Sequence, residues 1–121
     1  MSDNQIEKEI QDKGLTAPRV TPADLESNIE SEHYFTAGQA VGEVRSHDMQ
    51  TAVSTCQALD LLTFCVLVLK NGFTVTGESA CASPENFDAE LARKIARQKA
   101  IAKVWLLMSY ELKCRLHKAG E

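Results

Sequence analysis

The sequence is short of the features that mark a membrane or secreted protein. No apolar run reaches the roughly 18 residues that a spanning helix needs; the longest, residues 61–69, falls well short. The first fourteen residues, MSDNQIEKEIQDKG, are acidic and polar, unlike a signal or transit peptide. A cytoplasmic location is therefore expected. Cysteine is sparse, and Cys56, Cys65, Cys81 and Cys114 include no close pair and no metal-ligand spacing. In a reducing compartment that pattern implies free, mostly buried thiols, with no metal and no cofactor. Proline and glycine are both absent from residues 86–119, which permits one long helix there. Excess positive charge is lacking too: 13 Lys and Arg stand against 17 Asp and Glu. A net charge of −4 speaks against general duplex binding, which needs many cationic phosphate contacts.

What charge there is lies unevenly. Residues 1–87 carry 5 basic and 13 acidic side chains, and residues 88–121 carry 8 and 4. The basic C-terminal segment can meet a small anionic partner, or it can pair with the acidic half of its own chain or of a neighbouring subunit. At 121 residues the chain has room for one modest core and no second domain.

That core is expected to grow around residues 61–80, LLTFCVLVLKNGFTVTGESA. An almost wholly apolar run meets Asn71-Gly72 and continues into a run that alternates apolar residues with threonine. Asn-Gly between such runs signals a β-hairpin with a two-residue type I′ turn. The turn sets a register in which Lys70 faces Phe73, Val68 faces Val75 and Val66 faces Gly77. Phe64, Val66, Val68, Phe73 and Val75 then form the core face, with Leu67, Leu69, Thr74 and Thr76 on the other. A lone hairpin is marginal in water and needs a cover.

The cover is legible at the C-terminus. Ser83 suits an N-cap, Pro84 a first helical position and Glu85 the first turn. Phe87, Leu91 and Ile95 recur every four residues, and Ile101, Ala102, Val104, Trp105, Met108, Leu112 and Leu116 continue the pattern. Arg93, Lys94, Arg97, Lys99 and Lys103 form the opposite, basic face. Upstream, residues 3–13 read as a short polar helix around Ile6 and Ile10, one that frays unless a partner takes the isoleucines. A linker around Pro18 follows. A second helix starts with Thr21 as cap, Pro22 and Asp24, and runs to about Ser31. His33, Tyr34 and Phe35 then make an aromatic patch, as a strand or a helix cap on the core. Residues 42–59 read as a loop or irregular helix. The expected fold is α+β: a β-hairpin or small antiparallel sheet packed against a long C-terminal helix, with short N-terminal helices. Residues 1–20 are expected as a flexible acidic segment, and 21–121 as the single domain.

No catalytic constellation is visible. His47 beside Asp48 lacks a nucleophile at recognisable spacing, Ser79 lacks a nucleophile-elbow pattern, and Cys81 lacks a base. Glu78, Ser79 and Cys81 are the residues on which an unrecognised enzyme would rest, and the expectation is that the chain is no enzyme. For binding, Arg93 and Arg97 at i, i+4 can fork around an anion, and Tyr34, Phe35 or Trp105 can stack a base.

Residues 61–105, with NGFTVTGESA, SPENFDAE and RKIA in succession, resemble the core motif of a family of small tailed-phage and prophage proteins known from phage N4 and a Shigella phage. Residues 21–41, TPADLESNIESEHYFTAGQAV, are similar to the leader that precedes it. The resemblance implies a small accessory protein of phage origin at work in the host cytoplasm, and it brings no catalytic residues with it. Ala92 replaces a glycine of the family pattern, and Leu106, Met108 and Ser109 replace a helix-breaking Pro, an acidic residue and a Gly. These departures favour a straighter, more apolar helix and assembly between copies. Two functions compete: sequestration of a small nucleotide signal by a homo-oligomer, in counter-defence, and inhibition of a host protein by strand addition or acidic mimicry.

Overall fold

The computed structural model describes residues 2–47 and 57–120, residues 43–47 by their backbone alone. Helix α1 (Asp3–Asp12) and helix α2 (Pro22–Ser27) precede strand β1 (Ile29–Thr36), which leads into α3 (Ala37–His47) and then the short α4 (Gln57–Asp60). Strands β2 (Leu62–Leu69) and β3 (Thr74–Ala80) follow, then a 3-10 turn (Pro84–Asn86) and α5 (Ala89–Ala119). The three strands form one antiparallel sheet in the order β1-β2-β3, and α5 lies across the face made by β2 and β3. This is the expected α+β architecture, with a third strand in the sheet.

The hairpin is present, but its register is shifted by one residue. Val66 pairs with Thr76, Leu67 with Val75 and Val68 with Thr74. The loop holds three residues, Lys70-Asn71-Gly72, closed by Gly72 N–H donating to the Leu69 carbonyl at 2.9 Å and Leu69 N–H donating to the Phe73 carbonyl at 2.9 Å. Only Gly72 takes positive φ, at 88°, whereas a type I′ turn would need Asn71 there as well. A type I turn ending on a left-handed glycine adds one residue to the loop, and a one-residue slip exchanges the faces of a strand.

The core is accordingly Cys65, Leu67, Leu69 and Val75 against α5, with Leu25 of α2 closing one end. Phe64, Val66 and Val68, expected as core, are half-buried on the other face, and Phe73 is 57% exposed. Val75 alone of the expected face is fully inside.

On α5 the packing ridge also differs from the expected stripe. Leu91 is 55% exposed and Ile95 half-buried, while Ala92, Ala96, Ala100, Ile101 and Val104 are buried. Gly77 explains the preference for alanine. A Cβ on Gly77 would collide with the Ala96 carbonyl oxygen and the Ala100 amide nitrogen, so the helix backbone rests on the strand backbone. Only small residues fit at that separation. The helix runs unbroken for 31 residues. It starts later than the sequence suggests: Ser83 and Pro84 open the 3-10 turn without a side-chain cap, and the Asp88 carboxylate caps α5 by accepting from Leu91 N–H at 3.0 Å.

The N-terminal elements begin where expected. Ser2 with Gln5, and Thr21 with Asp24, each make a reciprocal capping box. Helix α2 ends at Ser27, and Ile29, expected in it, begins β1. The His33-Tyr34-Phe35 patch is therefore strand. A bulge at Ile29/Ser31 adjusts the register of β1 on β2, and Lys70 N–H donates to the Asn28 carbonyl at 2.9 Å. Asp48 lies outside the described residues, as does the side chain of His47.

Candidate functional site

Strand alternation separates the five residues expected to hold a ligand. On β1, Glu32 and Tyr34 point to the α5 side of the sheet, beside Leu67 and Cys65 of β2, while Phe35 points to the other side and stacks on Phe64 with ring centroids 5.4 Å apart. On α5, Arg93, Arg97 and Trp105 fall at successive levels along the helix and meet different surroundings.

Arg97 is committed to the protein itself. Its Nε donates to Glu32 Oε1 at 3.0 Å and its terminal nitrogen to Glu26 Oε2 at 2.8 Å. The Tyr34 hydroxyl adds a 2.6 Å bond to Glu32 Oε1. This latch ties α2, β1 and α5 together, and the Arg97 guanidinium holds the Glu32 carboxyl below its ordinary range. Burial pushes the Tyr34 phenol up, reinforced by its bond to Glu32. Trp105 is likewise used: its indole N–H donates to Asp3 Oδ2 at 2.9 Å, pinning the start of α1. Arg97 and Trp105 share a cleft of about 600 Å³ with Asp3 and Glu26, so an anion there would meet two carboxylates.

Arg93 differs. Among the described residues it has no ion-pair partner, and it borders a second cleft, of about 390 Å³, at the end of the sheet where β1 finishes, β2 starts and α5 begins. Tyr34 and Phe35 line the same cleft, so three of the five expected residues come together. The remaining lining is Thr36, Gln39, Asp60, Thr63, Phe87 and Ala89.

Each of these is placed by a local rule. Thr36 caps α3, accepting from Gln39 N–H at 3.1 Å while the Gln39 side chain accepts from Thr36 N–H at 2.9 Å. Asp60, at the end of α4, sits so close to Gly38 that any Cβ there would strike its carboxylate. Phe87 lies in the turn ahead of α5, half-buried. The cleft thus offers one guanidinium, one carboxylate, aromatic rings and the first turns of two helices, each with a side-chain cap. Sequence reasoning missed Asp60, Phe87 and Thr63 because no local pattern links them; only the topology brings them together.

The other expected chemistry does not converge on one point. Glu78 and Ser79 are neighbours on β3 and point to opposite faces, the first exposed and the second buried. The Cys81 thiol donates to the Ser83 carbonyl at 3.2 Å. Among the described residues, Cys65, Cys81 and Cys114 are free, no three His, Cys, Asp or Glu side chains gather as a metal site requires, and no helix is long and apolar enough to cross a membrane.

A family model described as "Phage protein (N4 Gp49/phage Sf6 gene 66) family" covers residues 20–116. No curated protein and no solved structure matches the chain.

Proposed function

We propose, from the premise that the chain belongs to the phage protein (N4 Gp49/phage Sf6 gene 66) family, that it is a non-catalytic accessory protein that binds a small nucleotide in the host cytoplasm. Sequestering a nucleotide signal in this way would serve counter-defence. The observation that carries the reading is the cleft beside Arg93, where a guanidinium with no ion-pair partner among the described residues stands at the edge of an aromatic-lined hollow. A guanidinium without a carboxylate partner is a ready phosphate ligand, and aromatic walls suit a base. Arg97 and Trp105, already bonded to Glu26, Glu32 and Asp3, serve the fold and not the ligand. A volume of about 390 Å³ is near the lower end for ligand pockets and fits one nucleotide unit per chain.

Native mass spectrometry of the full chain purified from infected cells, followed by calorimetric titration with nucleotide signals, tests the reading. An adduct of nucleotide mass, with binding lost in Arg93→Ala, is expected. A bare chain and no heat with any nucleotide at micromolar protein would overturn it.

A second reading, a protein-binding inhibitor, draws on the sheet's edges: β1 and β3 each present one side with no strand partner among the described residues. Recovery of a host protein on pull-down, lost when a proline replaces Thr76 in β3, would favour it.

A further inference from the structure

The least accessible residue of the Arg93 cleft is Thr63. It is 3% exposed, it lines the hollow, and its Oγ1 has no hydrogen-bond partner among the described residues. A buried hydroxyl without a partner costs free energy in a folded protein, and natural structures rarely keep one without a use. Its strand neighbours offer no relief: Thr36 on β1 is engaged in capping α3, and Ser79 on β3, buried at 7%, makes no bond to it.

Resting on the nucleotide reading above, we infer that the cleft takes a mononucleotide base-first, with the edge of the base against the Thr63 hydroxyl and the phosphate at Arg93. Charge sets the direction. Arg93 and Asp60 are both exposed at the rim, whereas the innermost lining residue, Thr63, offers only a neutral hydroxyl. A phosphate driven inward would lose water and gain no cation. A base edge is neutral and carries both donors and acceptors, so it satisfies Oγ1 in either role. Tyr34 and Phe87 supply apolar walls, and Asp60 accepts from a ribose hydroxyl or an exocyclic amine. A single guanidinium matches a single phosphate, which selects a mononucleotide over a larger polyphosphate.

Recognition by a buried hydroxyl discriminates strongly, because a ligand lacking the matching group leaves the hydroxyl unpaired. The test is calorimetric titration of the full chain with the four nucleoside 5′-monophosphates and with ribose 5-phosphate, for wild type, Thr63→Val, Thr63→Ser and Arg93→Gln. At least one nucleoside monophosphate is expected to bind, with ribose 5-phosphate at least about tenfold weaker, the loss of roughly one good hydrogen bond. Thr63→Val should lose about the same factor at every salt concentration, while Thr63→Ser retains affinity. Arg93→Gln should weaken binding and flatten its salt dependence. Thr63→Val should also raise the melting temperature of the ligand-free protein, which shows that its lost affinity is not lost folding. Equal binding of ribose 5-phosphate, or a Thr63→Val variant of unchanged affinity beside a weakened Arg93→Gln, would overturn the base-first orientation and leave the nucleotide reading standing. Failure of every nucleotide to bind wild type would overturn both.

Discussion

Two glycines show how far a single hydrogen in place of a side chain shapes this molecule. At Gly77 the demand is for space: a Cβ would strike the backbone of α5 at Ala96 and Ala100, and a backbone cannot rotate out of the way as a side chain can. Gly77→Ala is expected to force α5 off β3 and destabilise the protein by about 3 kcal/mol, the upper end for overpacking. At Gly72 the demand is for conformation: φ is 88° and open space surrounds the position. Gly72→Ala should cost only about 1 kcal/mol, the ordinary penalty for an L-residue in the left-handed region. Urea unfolding of the two variants checks the order; a Gly77→Ala variant no less stable than Gly72→Ala would mean that α5 is not seated on the strand. The sequence marks Gly72 through its Asn-Gly context. Nothing around Gly77 in the chain announces its contact, which depends on a helix that begins twelve residues later.

Among the elements, the hairpin was legible and its faces were not. Residues 64–69 are apolar on both sides, so alternation cannot choose the inner face, and the choice falls to the turn. Asn71-Gly72 admits either a two-residue or a three-residue loop; the observed one keeps Asn71 out of positive φ. That difference moves Cys65, Leu67 and Leu69 inside and Phe64, Val66 and Val68 to the other face. The same limit applied to the candidate site: Tyr34, Phe35 and Arg93 were marked by residue type, but the carboxylates that occupy Arg97 and the Asp3 that occupies Trp105 come from elements distant in the chain. Helix α1 was expected to depend on a partner, and the chain supplies anchors for it in Asp3 with Trp105 and in Glu7 with Arg19, whose guanidinium donates to both Glu7 oxygens. Hydrogen bonds from Arg19, and then Gln11, lower the Glu7 carboxyl from an ordinary 4.5 to about 2. A carboxylate whose value falls on folding stabilises the fold above its unfolded value, and the contribution is lost as pH falls through the folded one. Helix α1 is therefore expected to loosen between about pH 4.5 and pH 2. Trp105, the one tryptophan of the chain, reports the loosening as a red shift of its emission. In Glu7→Gln the shift should no longer track that pH window; an unchanged acid transition in this variant would assign it to other carboxylates, with Glu32 in the Arg97 latch foremost.

Across the whole molecule, the uneven charge finds part of its answer within the chain, because Arg97 of the basic segment pairs with Glu26 and Glu32 of the acidic half. The apolar surface does not. Leu106 and Tyr110, one turn apart on α5, are 74% and 72% exposed, and Leu107 beside them is 42% exposed. Their side of the helix continues the Ala92, Ala96 and Ala100 ridge, of which Ala96 and Ala100 lie against Gly77 of β3. A second copy is the occupant that the homo-oligomeric reading requires, since a two-fold contact sets the same patch against itself and removes both from water. The wild-type chain is expected to sediment as a dimer and the double variant Leu106→Glu, Tyr110→Glu as a 13.3 kDa monomer with unchanged far-ultraviolet circular dichroism. A wild type that sediments at 13.3 kDa at micromolar concentration would overturn the dimer while leaving the Arg93 cleft, which lies wholly within one chain, as the place to look for function.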